Sequence, residues 1–516
     1  MRRYQKLLCL LFCLVLLFVA ASCEDGGTID IPQDTPGPSD DVEIGNWTLI
    51  RQKATFPEGS QLRIKFFNGG YGRQWLDAMK EKFEEEYPTV TITLIPSNNE
   101  AEFTTLLSTT LDGTPDDIYI CHNIPWERLA IQGKIMNLDN VYNFAIYKDE
   151  DTGRIIRFED RIVASSRNSA RFWNESAKKY SYYKIPQIHS GGGIAYNKTL
   201  FDKFDWEIPK TYDELVALCD TISKSGAKND AGDTIYPFVW SNAVAYMWDS
   251  VVFDWWAQLA GLESIQEFLR YEDKNFFNPD HYPYLKQAWT YWYNLVPAHQ
   301  NWSHPQSLAF DHLQCNMAFA AGQAAMMPAT CWTANEIGVD VLEEFGCDIG
   351  LMQTPFVPGA KTDDDGSPIR VVYDLAGKDS IIVANKAKNK AVAVEFLTWM
   401  AELENSELFP ANTNGLLLGM TYDFDKLIQH STRTWEKDIF TILKAAQRFT
   451  IYSSSPMVYL AGTPLSPYPE GNYYGEAYEY YGDPTKPSRT PDTVFNSVWT
   501  MINRDWDMMR AAVGLS

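Results

Sequence analysis

The chain has 516 residues, 45% of them hydrophobic and 22% charged, and a net charge of −23. That length exceeds what one hydrophobic core supports, so two or more domains are expected, and the acidity argues against nucleic acid as a partner. Past position 23 only Cys121, Cys219, Cys315, Cys331 and Cys347 remain, an odd, widely spaced set with no CxxC knuckle and no disulfide framework, though one bridge is compatible with an oxidising compartment.

Arg2, Arg3 and Lys6 precede an apolar run over residues 7–21, too short for a comfortable membrane span and patterned as a cleavable export signal. The run ends in Ala20-Ala21-Ser22-Cys23, which resembles the lipobox of bacterial lipoproteins. The resemblance implies cleavage before Cys23 and lipid on its thiol, placing the mature chain at the periplasm or cell surface on a membrane anchor. A plain secretory leader or an uncleaved anchor is the alternative. From residue 24 the chain is rich in Gly, Pro and Asp and too poor in apolar groups to offset its ordering entropy. Residues 1–22 therefore read as signal peptide and 23–60 as lipidated terminus and flexible tether.

The body begins with Leu62, Ile64 and Phe66 alternating as a strand, broken by Asn68-Gly69-Gly70. Leu76, Met79, Phe83 and Tyr87 then recur at helical spacing up to Pro88. Val90, Ile92 and Leu94 form a second strand. Phe103, Leu106, Leu107 and Leu111 suggest another helix, and residues 117–121 a third strand. This β-α-β-α-β order predicts a right-handed, mostly parallel sheet with its functional loops at the carboxyl ends of the strands. Thr211 and Glu214 have capping-box spacing ahead of Leu215, Leu218 and Ile222. Residues 380–384 read as a buried strand, and 390–400 as a helix with Val392, Phe396 and Trp399 on one face.

The order of these segments resembles the family 1 extracellular solute-binding proteins, the maltose-binding-like receptors of carbohydrate ABC importers. The resemblance is carried by KFEEEYPTVTI, DIYICHNIPWERLAIQGKIMNLD, YKIPQIHSGGGIAYNKTLFDKF with PKTYDELVALC, AFAAGQAAMMPATCW, and IGLMQTPFVPG leading to DSIIVANKAKNKAVAVEFLTWM. It implies an α/β, two-lobed periplasmic-binding-protein-like fold with a hinge of crossing strands near residues 186–191 and 371–377. Lobe 1 would take residues 61–185 plus 378–430, and lobe 2 residues 186–377 plus 431–516. The Tyr- and Pro-rich stretch over 452–491 has no counterpart in the family pattern. The implied activity is capture of a sugar or oligosaccharide by a monomer that delivers it to ABC permease subunits.

Sugars present hydroxyl edges that need hydrogen-bond partners and CH faces that stack on aromatic rings. With 17 Trp and 28 Tyr, platforms are in excess, and most must serve the core. Trp332 is singled out, because in the family an aromatic after this strand enters the cleft. Loops after strands add Asn68, Tyr71, His122 and Asn123, and the expected crossings add His189, Ser190, Asp374 and Lys378. Trp240, Asn242, Tyr246 and Trp248 lie in an aromatic-polar loop. For all but Trp332 a capped turn or a satisfied hinge hydrogen bond explains the residue equally well.

No GxSxG elbow, Walker A loop, HExxH or EF-hand loop occurs, so no catalytic residue, metal or cofactor is assigned. The rival readings are a surface glycan-capturing lipoprotein, expected to be built of helical repeats, and a secreted carbohydrate-active enzyme.

Overall fold

The computed structural model describes residues 41–174, 176–189, 191–374, 379–451, 457 and 490–512. The strands of its two main sheets are, in chain order, β1 (Ser60–Phe67), β2 (Val90–Ser97), β3 (Ile118–His122), β4 (Ile185–Pro186), β5 (Gly192–Asn197), β6 (Tyr236–Phe238), β7 (Ala324–Thr330), β8 (Ile349–Met352) and β9 (Asp379–Val383). The helices that matter below are α1 (Gln74–Glu86), α2 (Tyr212–Ser225), α3 (Asp249–Ala260), α4 (Thr333–Ile337), α5 (Lys390–Met400), α6 (Thr434–Ala445) and α7 (Pro491–Ala512).

The first sheet has the order β2-β1-β3-β9-β4. Its opening β-α-β-α-β stretch makes the parallel trio, and β9 returns antiparallel to β3 and β4. Alternation in β1 buries Leu62, Ile64 and Phe66 as their period demands. α1 covers the sheet with Trp75, Leu76, Met79 and Phe83, and Phe83 stacks on Tyr87 at 4.3 Å with its edge set against Phe396 and Trp399 of α5. Leu106 departs from expectation: it is 50% exposed, because the chain makes a 3-10 turn at Glu100–Glu102 and the helix begins only at Leu107.

The second sheet has the order β6-β7-β5-β8, with β6 parallel to β7 and β5 antiparallel to both of its neighbours. Its two faces feed different clusters: Ile194 and Met326 pack with α3, whereas Ala195 and Met327 pack in the cluster that includes α1. The Thr211–Glu214 capping box starts α2 as its spacing requires, and Leu215, Leu218 and Ile222 are buried. α3 is buried along its whole length, and its Asp254 accepts from Thr354 Oγ1 (2.6 Å) and the Tyr373 amide (2.7 Å). α6 packs on β8, where Asp438 accepts from the Leu351 amide at 3.0 Å. α7 closes the far side with Val494, Phe495, Val498, Ile502, Trp506 and Met509 in the α3 cluster.

Between the sheets run the crossings. Ile188–His189 pairs antiparallel with Leu417–Leu418, and Val371–Tyr373 pairs parallel with Gln447–Phe449. The flexible tether expected over residues 23–60 does not include residues 47–51, which are packed. Trp47–Leu49 pairs with Ala145–Asp149, Trp47 packs on Tyr147, and Arg51 is buried, so apolar and ionic contacts together overcome the entropy of ordering this stretch. The five body cysteines are buried thiols. Among the described residues no helix is long and apolar enough to cross a membrane, and no cluster of His, Cys, Asp and Glu could hold a metal. Signal peptide, Cys23 and most of residues 452–491 lie outside the described residues.

Candidate functional site

The carboxyl ends of β1, β3 and β7 converge where the two sheets face one another. β7 ends at Thr330, and Cys331 and Trp332 lead straight into α4. The Trp332 ring is half-buried, touches both hydrophobic clusters, and meets Tyr71 edge to face with centroids 6.2 Å apart. Tyr71 hangs from the loop after β1 and donates its hydroxyl to Asp379 at the head of β9. Burial first, and the Asp379 carboxylate next, push its phenol well above the ordinary range. Asp379 stands opposite His122 in the β9–β3 register.

From the other side α4 brings Asn335 and Glu336. Burial pushes the Glu336 carboxyl up to about 7. The approach depends on Gly70, where a Cβ would sit 2.8 Å from Glu336 Oε1. Asn335 Nδ2 donates to the Gly70 carbonyl at 2.6 Å, so the β1 loop of the first sheet and the β7 helix of the second meet directly.

Deeper in, buried hydroxyls of both sheets have no hydrogen-bond partner among the described residues. They are Ser250 Oγ in the first turn of α3, Thr330 Oγ1 at the end of β7, and Ser380 Oγ in β9. Ser250 lies on Gly192, where a Cβ would come within 2.1 Å of its Oγ, and Gly192 pairs with Thr330. Buried polar groups are nearly always paired in folded proteins. Aromatic rings, carboxyls and orphaned hydroxyls gathered at strand ends make a place where a polar molecule with apolar faces can be held.

The other sequence candidates divide. Trp240 and Trp248 are fully buried: Trp240 Nε1 donates to Ser303 Oγ at 3.1 Å and Trp248 packs edge-on to Phe238. Asn242 is half-buried, and its Oδ1 has no hydrogen-bond partner among the described residues. Tyr246 lies in the 3-10 stretch Asn242–Trp248, its side chain outside the described atoms. His122 is half-buried beside Tyr71's partner strand, its Nε2 3.1 Å from Glu100 and its ring on Phe67. Asn68 is half-buried, its amide given to the Ser97 carbonyl at 2.9 Å. Asn123 is exposed at φ 54°, a left-handed turn position that Asn tolerates, so the turn accounts for it.

His189 and Asp374 pair with each other at the crossing strands. Both are fully buried, His189 Nδ1 is 2.8 Å from Asp374 Oδ2, and its Nε2 is 2.7 Å from an Arg448 nitrogen. Arginine only donates, so Nε2 accepts from Arg448 and Nδ1 donates to Asp374. Ser165 adds a hydrogen bond to Asp374, and Arg448 also reaches the Asp41 carboxylate. Ser190 and residues 375–378, Lys378 among them, lie outside the described residues. Asn335, Glu336, Asp379, Ser250 and Ser380 were missed; Asn335-Glu336 directly after Trp332, and Ser250 after the Trp240–Trp248 loop, were the available signals.

The family profile for bacterial extracellular solute-binding proteins matches residues 69–407, most of the chain. The chain belongs to that family. Solved structures share the two-lobed fold of this solute-binding protein. The chitin oligosaccharide binding protein is 16% identical (TM-score 0.57), covering 84% of this chain and 95% of its own. RafE of Streptococcus pneumoniae, solved in complex with raffinose, is 16% identical (TM-score 0.56; 86% and 99%). The GacH receptor of Streptomyces glaucescens, solved unliganded and with acarbose, is 13% identical (TM-score 0.56; 86% and 98%). Among curated proteins none matches the sequence.

Proposed function

We propose that this solute-binding protein captures a sugar or oligosaccharide between its lobes and hands it to an ABC-type importer, binding without chemistry. The observation that carries this reading is the Trp332–Tyr71 pair set among Asp379, Glu336 and the orphaned hydroxyls, since one sugar ring can stack on the indole while its hydroxyls take up those groups. Proteins of similar fold that bind chitin oligosaccharide, raffinose and acarbose support it. The two-sheet architecture is not the helical-repeat construction expected of a glycan-capturing surface lipoprotein. A thermal-shift screen over neutral di- to tetrasaccharides should find one that, at 100 times its Kd, adds about 2.7 kcal/mol of stability. A response confined to amino acids, peptides or other non-sugar solutes would refute the sugar reading.

The protein acts as a monomer held at the outer face of a membrane by lipid on Cys23, with the polar stretch after it as a tether. Support comes from the small residues before Cys23 and from the Gly-, Pro- and Asp-rich composition of the stretch after it. Cys23→Ala should move the protein from the detergent phase to the aqueous phase. Identical partitioning of mutant and parent would remove the anchor.

A further inference from the structure

The side-chain amide of Asn335 is held at both ends by the opposite lobe. Its Nδ2 donates to the Gly70 carbonyl at 2.6 Å, and its Oδ1 accepts from Asn414 Nδ2 at 3.1 Å. Gly70 follows β1. Asn414 follows the short helix Leu408–Ala411, whose Phe409 packs on Trp75 of α1 at 4.8 Å, so both grips belong to the first lobe. Asn335 itself rides on α4 directly after β7, and the Thr330 amide donates to Thr333 Oγ1 at 3.1 Å, tying that helix to the second sheet.

The contact is reciprocal. Asn414 Oδ1 accepts from Arg433, which opens α6 on the second sheet, and Gly415 lets the loop approach α6 so closely that a Cβ would lie 3.2 Å from Glu436 Cγ. Asn414 and Gly415 take φ of 50° and 86°, a left-handed pair available to Asn and Gly but not to most residues, which aims the loop across the gap. Two polar amides, a guanidinium and a backbone carbonyl are thus interleaved at the mouth of the site that holds Trp332 and Tyr71.

We propose that Asn335 and Asn414 form a closing clasp, made only when the lobes are shut, that sets the balance between closed and open states. The inference rests on reading the space between the lobes as the solute site, and it assigns that site a regulating contact outside the ligand's own shell. A group that bonds in one of two arrangements shifts their ratio by its differential free energy alone. Two such hydrogen bonds are enough to change the closed-to-open ratio about tenfold.

The test uses no ligand. Spin labels on Leu106→Cys and Phe345→Cys, exposed positions on the two lobes, report the interlobe distance distribution in a chain with Cys9, Cys13 and Cys23 changed to Ser, whose remaining native cysteines are buried. Asn335→Asp keeps the size of the side chain but turns the donor to the Gly70 carbonyl into an acceptor. It should lengthen the distribution and lower the closed-to-open ratio about tenfold, as should Asn335→Ala and Asn414→Ala, each of which removes two bonds across the gap. Melting temperatures within a few degrees of the parent would show that folding is intact. Distributions for Asn335→Asp and Asn335→Ala that superimpose on the parent's would overturn the clasp. The sugar screen can fail without touching this result, and the reverse also holds.

Discussion

Trp332→Ala should weaken sugar binding by about thirtyfold, roughly 2 kcal/mol, with a smaller loss of folding stability. The ring is the half-buried member of an edge-to-face pair, so part of it is committed to packing against both clusters and part is accessible. A fully buried tryptophan costs about 3 to 5 kcal/mol of stability when truncated; for this one about half of that is expected. Calorimetric titration and urea denaturation on the same mutant separate the two roles. Unchanged affinity beside a loss of the full 3 to 5 kcal/mol would place Trp332 in the core and take the platform out of the site. Trp332→Phe should recover much of the affinity, because a ring face is restored.

Arg51→Ala should destabilise the protein by about 3 to 5 kcal/mol without altering the site. The guanidinium is fully buried and bonds Glu395 (2.5 Å), Glu402 and the Tyr87 hydroxyl (3.1 Å), while Tyr87 donates to Glu395 at 2.5 Å. Burial pulls the arginine's pKa down, yet its bonds to Tyr87 and to both carboxylates hold it above the usual value. Glu402 shows the opposite balance, with burial pushing its carboxyl up in spite of the adjacent cation. Removing Arg51 leaves two carboxylates inside the first lobe with no counter-charge, and the chain ahead of β1 loses its bolt to α5. Urea denaturation measures the loss, and a shift below about 1 kcal/mol would mean that water reaches the pair freely. The triple change Arg51→Met, Glu395→Leu, Glu402→Leu should recover most of the stability, since an apolar replacement leaves no charge unpaired.

What was legible in the chain was whatever repeats locally. Leu62, Ile64 and Phe66 alternate because a strand buries one face; Val392, Phe396 and Trp399 share a helix face; Thr211 and Glu214 cap a helix because side chains three apart reach each other's backbone. The segment order likewise carried the family, since it reflects how sheets are threaded. The burial of the aromatic-polar loop was not legible: Trp240 and Trp248 are fully buried, and burial is a property of the assembled body.

The sequence by itself determined the elements, the acidic surface, the two-lobed family fold and the prominence of Trp332, all of which follow from spacing within a few residues or from segment order. Only the tertiary structure decided that Tyr71, Asp379 and Glu336 stand around that ring, that His189, Asp374, Arg448 and Asp41 make one bolt, and that Asn335 is gripped by Gly70 and Asn414. Such partners lie far apart along the chain, and no local periodicity records a pairing that exists only after two sheets have been threaded past one another and brought face to face.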